Sequence, residues 1–308
     1  MLDYPVGGSG AVCDALVKAF ESHGGRFMKS TAVEKILIED GKASGVVLKG
    51  GDVIKANHAV VSNAPVWALP KMLPEKYATK FLGLFEMEQD TAGLKKKLGD
   101  TPQTDSFMHL HLGIDGTGLD LKEIHYTIIN SWECGIDAPG NMVVISIPTV
   151  MDPAMAPDGK HVVHAYTAGN EPYDVFKGLD RASPEYKKLK ADRAEVLYKA
   201  IEKVIPDLRS RIEVELIGSP LTHERYLRRP QGTYGPAWRA GENLFPGPGL
   251  AGIPGLMCCG DSCFPGIGVP AVAASGLTAA NSLVPVEKHL ALLREMKDKD
   301  LMPDQCMV

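Results

Sequence analysis

The sequence has no basic block longer than Lys95-Lys96-Lys97; short groups such as Arg228-Arg229 and Lys187-Lys188 are the nearest to it. Together with a formal net charge of −5 at pH 7, this excludes a general nucleic-acid binder, which needs a positive surface against phosphates. There is no C-x-x-C pair. The six cysteines are Cys13, Cys134, Cys258, Cys259, Cys263 and Cys306. Three of them crowd one stretch with no histidine close by in sequence, so reduced thiols are expected rather than a zinc site. The opening residues, Met1 to Gly8, lack the basic flank and apolar core of a leader. One uncharged run, Phe264 to Val286, is long enough to span a bilayer. Its three prolines and its Gly, Ala, Ser, Thr and Asn content make it a poor span. A buried helix beside a ligand is the better reading.

A further absence concerns nucleotide binding. A strand, then G-x-G-x-x-G, then a helix, then an acidic residue is the unit that holds a dinucleotide pyrophosphate and ribose. The sequence contains no such unit. Gly7-Gly8-Ser9-Gly10 has the wrong spacing and no preceding strand, so it reads as a tight loop into a helix over 11–23.

What is there is a folded globular chain, with 44% hydrophobic and 23% charged residues in 308, enough for one or two domains. Short strands are expected at 26–29, 32–38, 44–48, 53–55 and 59–62, with Asp40-Gly41 and Gly50-Gly51 as hairpin turns. Residues 67–98 read as mainly helical. Strands at 106–113, 124–130, 142–148 and 161–167 suggest a mostly antiparallel sheet, and another strand is expected at 212–218. In the alternating segment Ser106 to Gly113, His109 and His111 point to one face; spacing supplies no third ligand, so no metal is expected. His161 and His164 fall on opposite faces. An amphipathic helix is expected over 183–205, and a charged tail helix from Glu287.

The richest stretch runs from Gly255 to Gly276. Leu256 to Cys259 is a short buried strand, Gly260-Asp261 ends it, and Phe264 to Gly268 is a glycine-rich loop. Pro270 sits where a first helical turn tolerates proline, and small residues follow. A carboxylate that accepts from hydroxyls, beside a helix start with unpaired N–H groups, makes a site for a polar ligand with an electron-rich end.

The words GDSCFPGIGVPAVAASG (260–276) resemble the C-terminal FAD-binding segment of the carotenoid isomerase and phytoene desaturase family of flavoproteins. YPVGG (4–8), the T-H-x-R-Y-L-R-R-x-x-G-T-Y-G-P run from Thr222 to Pro236, Asn130-Ser-Trp132 and Gly159-Lys-His161 carry the same likeness. The resemblance runs from Tyr4 to about Leu283. It implies FAD as cofactor, with Asp261 on the ribityl chain, Gly260 beside it among the cofactor-binding residues, and Pro265, Gly266, Ile267, Gly268 and Val269 about the ring. It aims the Pro270 helix at the pyrimidine oxygen. It places Val33 at the adenine end, although plain core packing is the simpler reading of that valine. Asn63 and Ala64 end the strand beneath the cofactor, and Tyr234 falls in the substrate cavity.

The implied fold class is mixed α/β: an FAD-binding Rossmann-like domain without its N-terminal βαβ unit, plus an antiparallel-sheet substrate domain. Residues 1–66 and 236–285 go to the first, 67–235 to the second and 286–308 to a tail. The implied activity is cis-to-trans isomerisation of a carotenoid or similar polyene by reduced flavin. A net-redox desaturase or saturase, and a non-catalytic interaction subunit, stand as alternatives. No side chain is singled out as acid or base. Plastid residence and peripheral membrane contact follow from the resemblance, and nucleic acid is not an expected partner. The G-x-G-x-x-G unit would have to come from a missing segment or a partner chain. A truncated gene model, a processed fragment, a split protein and a degenerate relative all fit.

Overall fold

The computed structural model describes residues 5–78, 101–237, 246–249 and 251–301. In chain order its main elements begin with α1 (Ser9–Ser22), β1 (Val33–Glu39), β2 (Lys42–Leu48), β3 (Val53–Lys55), β4 (Val60–Ser62) and α2 (Leu69–Met72). Next come β5 (His109–Asp115), β6 (His125–Ile129), β7 (Met142–Ser146), β8 (Lys160–Thr167), α3 (Pro184–Glu202), α4 (Leu208–Arg211), β9 (Ile212–Gly218) and α5 (Pro220–Leu227). The last are β10 (Leu256–Cys258), α6 (Val269–Asn281) and α7 (Val286–Asp298). The fold is mixed α/β, as expected. The chain divides into two compact units, Met1–Lys29 with Thr104–Tyr234, and Ser30–Gln103 with Gly235–Val308.

The first unit is built on a five-stranded antiparallel sheet in the order β6-β7-β8-β5-β9. Its principle is the period of two. In β5, Leu110, Leu112 and Ile114 are fully or nearly fully buried, while His109, His111 and Gly113 take the other face. Val163 and Ala165 of β8, and Val143 and Ile145 of β7, extend the buried face. α3 covers it with Ala194, Leu197, Ala200 and Ile201. The helix starts where the sequence says. Ser183 accepts a hydrogen bond from the Tyr186 N–H at 3.1 Å, Pro184 fills the first turn, and Glu185 meets the positive end of the dipole. Arg193 reaches from α3 to Glu171 in a two-pronged bond of 2.7 and 2.9 Å, which neutralises a carboxylate that is otherwise sealed from water.

The second unit begins with a three-stranded meander, β1-β2-β3. Glu39 pairs with Lys42, leaving a two-residue turn in which Asp40 and Gly41 both take positive φ (49° and 79°), as such a turn requires. The strand expected at Arg26–Lys29 does not form. The β1–β2 ladder is complete at Val33 and Leu48, which leaves residues 26–29 no partner strand. Behind the meander, β4 and β10 pair in parallel. Ile36, Ala43, Val66, Leu69, Leu73, Ala251, Ile253, Leu256, Cys258 and Cys263 form the core beneath them. Of the helical stretch expected at 67–98, α2 is present; residues 79–100 lie outside the described residues, as do 302–308 of the tail. Among the described residues no helix is long and apolar enough to cross a membrane.

The contrast between helices gives a stability prediction. Leu197 is fully buried under the sheet, whereas Leu16 of α1 is 66% exposed. Leu197→Ala is expected to cost about 2–5 kcal/mol in urea unfolding, and Leu16→Ala to stay within about 0.5 kcal/mol.

Candidate functional site

β4 and β10 run parallel, so their carboxyl ends emerge side by side, at Ser62 and Cys258. Ligands of open α/β sheets bind just outside such ends. Here the two following segments interlock. Gly260 has φ 97°, and a Cβ on it would lie 2.2 Å from Asn63 Oδ1, so the backbone passes tight against that amide. The Gly260 N–H donates to the Ser275 hydroxyl of α6 at 3.1 Å. The Cys259 N–H donates to the Ser62 carbonyl at 3.0 Å, and the Val66 N–H to the Ser262 hydroxyl at 3.1 Å. Further on, Phe264 N–H donates to the Pro246 carbonyl at 2.8 Å, and Gly266 N–H to the Cys263 carbonyl at 2.9 Å. The loop is thus fixed to its strand, to the neighbouring strand and to the helix that follows it.

Within this frame Asp261 is half-buried. A Cβ on Gly235 would lie 2.7 Å from Ile267 Cδ1 and 3.1 Å from Asp261 Oδ2, so the end of the G-T-Y-G-P run abuts the loop. Gly266 and Gly268 take φ of 109° and 107°. Gly268 is the N-cap of α6, no side chain caps the helix, and a Cβ at Gly268 would meet nothing within 4 Å. Val269 beside it is 76% exposed. The arrangement offers a carboxylate for hydroxyl donors, an open glycine backbone, and the positive end of a helix. That donor set fits a polyol chain joined to a flat ring with carbonyl oxygens, which are the ribityl and pyrimidine parts of a flavin.

Most of the residues expected for this site come together. Asn63, Gly260, Asp261, Pro265, Gly266, Ile267, Gly268, Val269 and Pro270 lie on these two adjoining segments, and Ala64 follows with its N–H on the Ser62 hydroxyl at 3.2 Å. Val33 stands apart as the first residue of β1 on the meander. It is 43% exposed, so plain core packing does not describe it. Tyr234 belongs to the other unit, where its ring meets Phe107 edge-on at 4.8 Å. Sequence reasoning missed Ser262 and Ser275, which are buried and hold the loop.

Phe107 and Tyr234 continue onto the open face of the five-stranded sheet. There Tyr166, His109, His111, His164 and His223 lie ring against ring, with centroids 4.2 to 6.2 Å apart. Burial, with the neighbouring imidazoles, pushes His109 down to about 2 and His164 down to about 4. Both rings are therefore neutral at physiological pH. This is a flat face of neutral rings, carrying polar atoms but no charge.

No family model matches the chain. Individual proteins do. A chloroplastic prolycopene isomerase from Daucus carota is 34% identical over 291 residues, covering 91% of this chain and 44% of the relative. A neurosporene-forming phytoene desaturase from Cereibacter sphaeroides is 26% identical over 293 residues, covering 88% of this chain and 52% of the relative. Over about nine tenths of its own length the chain is similar to carotenoid isomerases and desaturases. It spans about half the length of the curated relatives it matches. Among solved structures, an oxidoreductase from Methanosarcina mazei aligns with a TM-score of 0.51 at 20% identity, over 90% of this chain and 55% of that one. That likeness speaks for the fold alone.

Two tests follow from the packing of the loop. Gly260→Ala is expected to destabilise the protein by about 2 kcal/mol or more, through positive φ and the clash with Asn63. Asn63→Gly should recover the clash part, giving a clear coupling in a double-mutant cycle of unfolding free energies. Burial also pushes the thiols of Cys258 and Cys263 up to about 12. At pH 8 iodoacetamide should therefore alkylate the exposed Cys13 and Cys134, and reach Cys258 and Cys263 only after denaturation, as peptide mass mapping will show.

Proposed function

We propose that this chain is the flavin-ring and substrate-binding part of an FAD-dependent enzyme that isomerises a carotenoid-like polyene from cis to trans. The observation that carries the reading is the loop at the ends of β4 and β10, with Asp261, the open glycines and the uncapped start of α6 gathered in one place. Bound reduced FAD would supply the electrons that lower the bond order of a polyene and take them back, with no net oxidation. The chain's own residues hold and orient. Asp261 accepts from ribityl hydroxyls. Gly266 and Gly268 let the backbone approach a flat ring, and the α6 N-terminus favours the electron-rich pyrimidine edge.

The substrate side of the reading rests on the open face of the five-stranded sheet. Phe107, Tyr166 and Tyr234 offer flat apolar surface to a long conjugated chain, and the neutral imidazoles add no charge that a hydrocarbon would have to desolvate. The kinship with prolycopene isomerases favours isomerisation over net desaturation. Pyrophosphate and adenosine need a strand–G-x-G-x-x-G–helix unit, which we assign to a segment or partner chain outside these residues. Val33 is reserved for the adenine end. Relatives named chloroplastic support a plastid location, and a membrane-dissolved substrate favours peripheral contact with the bilayer.

Absorbance titration with FAD tests the cofactor site directly. Asp261→Asn is expected to weaken binding by roughly tenfold to a hundredfold, since it removes a charge-assisted acceptor. Equal affinity in the two proteins would remove Asp261 from the site. For the reaction, poly-cis carotene is incubated anaerobically with reduced FAD and separated by chromatography. Trans product of unchanged composition supports isomerisation, and a product with more or fewer double bonds identifies net redox chemistry instead.

A further inference from the structure

We infer that His109, His111 and His164 form a binding site for a divalent first-row transition metal, of the zinc and cobalt class, on the open face of the five-stranded sheet. The backbone makes the case first. His109 and His111 are two residues apart on β5, and His164 on β8 is the register partner of His111. Side chains at i and i+2 of one strand, with a third directly across the ladder, stand on one face within reach of a single ion. One ligand atom from each ring lies within 4.8 Å of the other two. Zinc–imidazole bonds of about 2.0–2.1 Å need ligand nitrogens roughly 3.3 Å apart, and side-chain rotation closes a difference of this size. Three imidazoles leave a fourth position open, the ligand count of catalytic rather than structural zinc sites.

The contacts of the rings agree. His109 Nδ1 and His164 Nε2 are 2.7 Å apart and share one proton. That proton moves to the remote nitrogen of its own ring when both nitrogens turn to the metal, so no proton need be lost. The rings around His109 are other imidazoles, namely His164, His111 and His223, with centroids 5.0, 5.9 and 4.8 Å away. The lone pairs of the cluster therefore have a cation as their natural partner. A second observation is independent of the three ligands. The ring of His223 lies 4.8 Å from that of His109, and its Nε2 is enclosed without a hydrogen-bond partner. A metal-bound water at the open position would supply one. Sequence spacing alone offers two histidines; the third comes from pairing β8 beside β5. The thiols offer no rival set, since the only metal-competent cluster of His, Cys, Asp or Glu among the described residues is this one.

The inference does not rest on the flavin or polyene reading, because metal binding is measured without either ligand. The full chain is dialysed against Zn2+ and, separately, Co2+, with metal content and Co2+ difference spectra recorded. The expected result is one equivalent of metal and the visible bands of a four- or five-coordinate Co2+ ion. Because His111 is exposed, His111→Ala should fold normally and lose at least about a hundredfold in affinity. His164→Gln should do the same, with its folding checked by circular dichroism. His58→Ala and His289→Ala should bind as the parent does. Zn2+ should raise the melting temperature of the parent but not of His111→Ala. Absence of stoichiometric metal in the folded parent overturns the inference. So does undiminished binding in His111→Ala, or a thiolate-to-Co2+ charge-transfer band that reports cysteine ligands.

Discussion

The parallel pairing of β4 with β10 is the constraint on which the candidate cofactor site depends. Each strand has three residues, and roughly 190 residues of chain lie between them. Closing a loop of that length costs about 5 kcal/mol, while a ladder of three residue pairs contributes about 1 kcal/mol net for each hydrogen bond. Backbone pairing therefore does not hold the strands together unaided. The apolar layer beneath does: Leu256, Cys258 and Cys263 from one side, Val66 and Leu69 from the other, with Ile36 and Ala43 of the meander between them. Burying such side chains contributes about 1.5–3 kcal/mol for each large one. The polar loop above is accordingly a consequence of the hydrocarbon below. Asn63 meets Gly260 because Ser62 and Cys258 have already been brought into register.

Local signals in the sequence were read well where one element decides its own conformation. Asp40-Gly41 specified its turn, Ser183-Pro184-Glu185 specified a helix start, and the alternation of β5 specified which residues face the core. Arg26–Lys29 has strand-like composition but no partner, and a strand is a property of a pair. The candidate cofactor loop was legible because Gly260, Asp261 and Gly266 to Pro270 are contiguous, so spacing and chemistry could be read together. Ser275 was not, because its role depends on α6 folding back against the Gly260 N–H. The third histidine escaped for the same reason. Nothing in the order of residues 109, 111 and 164 says that β8 lies beside β5 at the register that sets His164 against His111.

The two sites use opposite electrostatics. Around Asp261 the useful elements are charge and dipole: a carboxylate and a helix N-terminus, beside glycines at positive φ. On the open face of the five-stranded sheet the useful property is neutrality. Burial resists charging of His109 and His164, and each imidazole penalises a proton on the next. The same neutrality suits two quite different guests. A conjugated hydrocarbon can lie on flat uncharged rings without stranding an ion, and a transition metal finds imidazole lone pairs once the proton shared by His109 and His164 has moved to a remote nitrogen. These guests are not equivalent in their consequences. A metal places a net positive charge, with its bound water, among Phe107, Tyr166 and Tyr234, and so raises the cost of covering that face with hydrocarbon. The occupancy of three histidines thereby sets what the rings beside them can bind. With the proposed metal bound or absent, one set of side chains gives this face two electrostatic states.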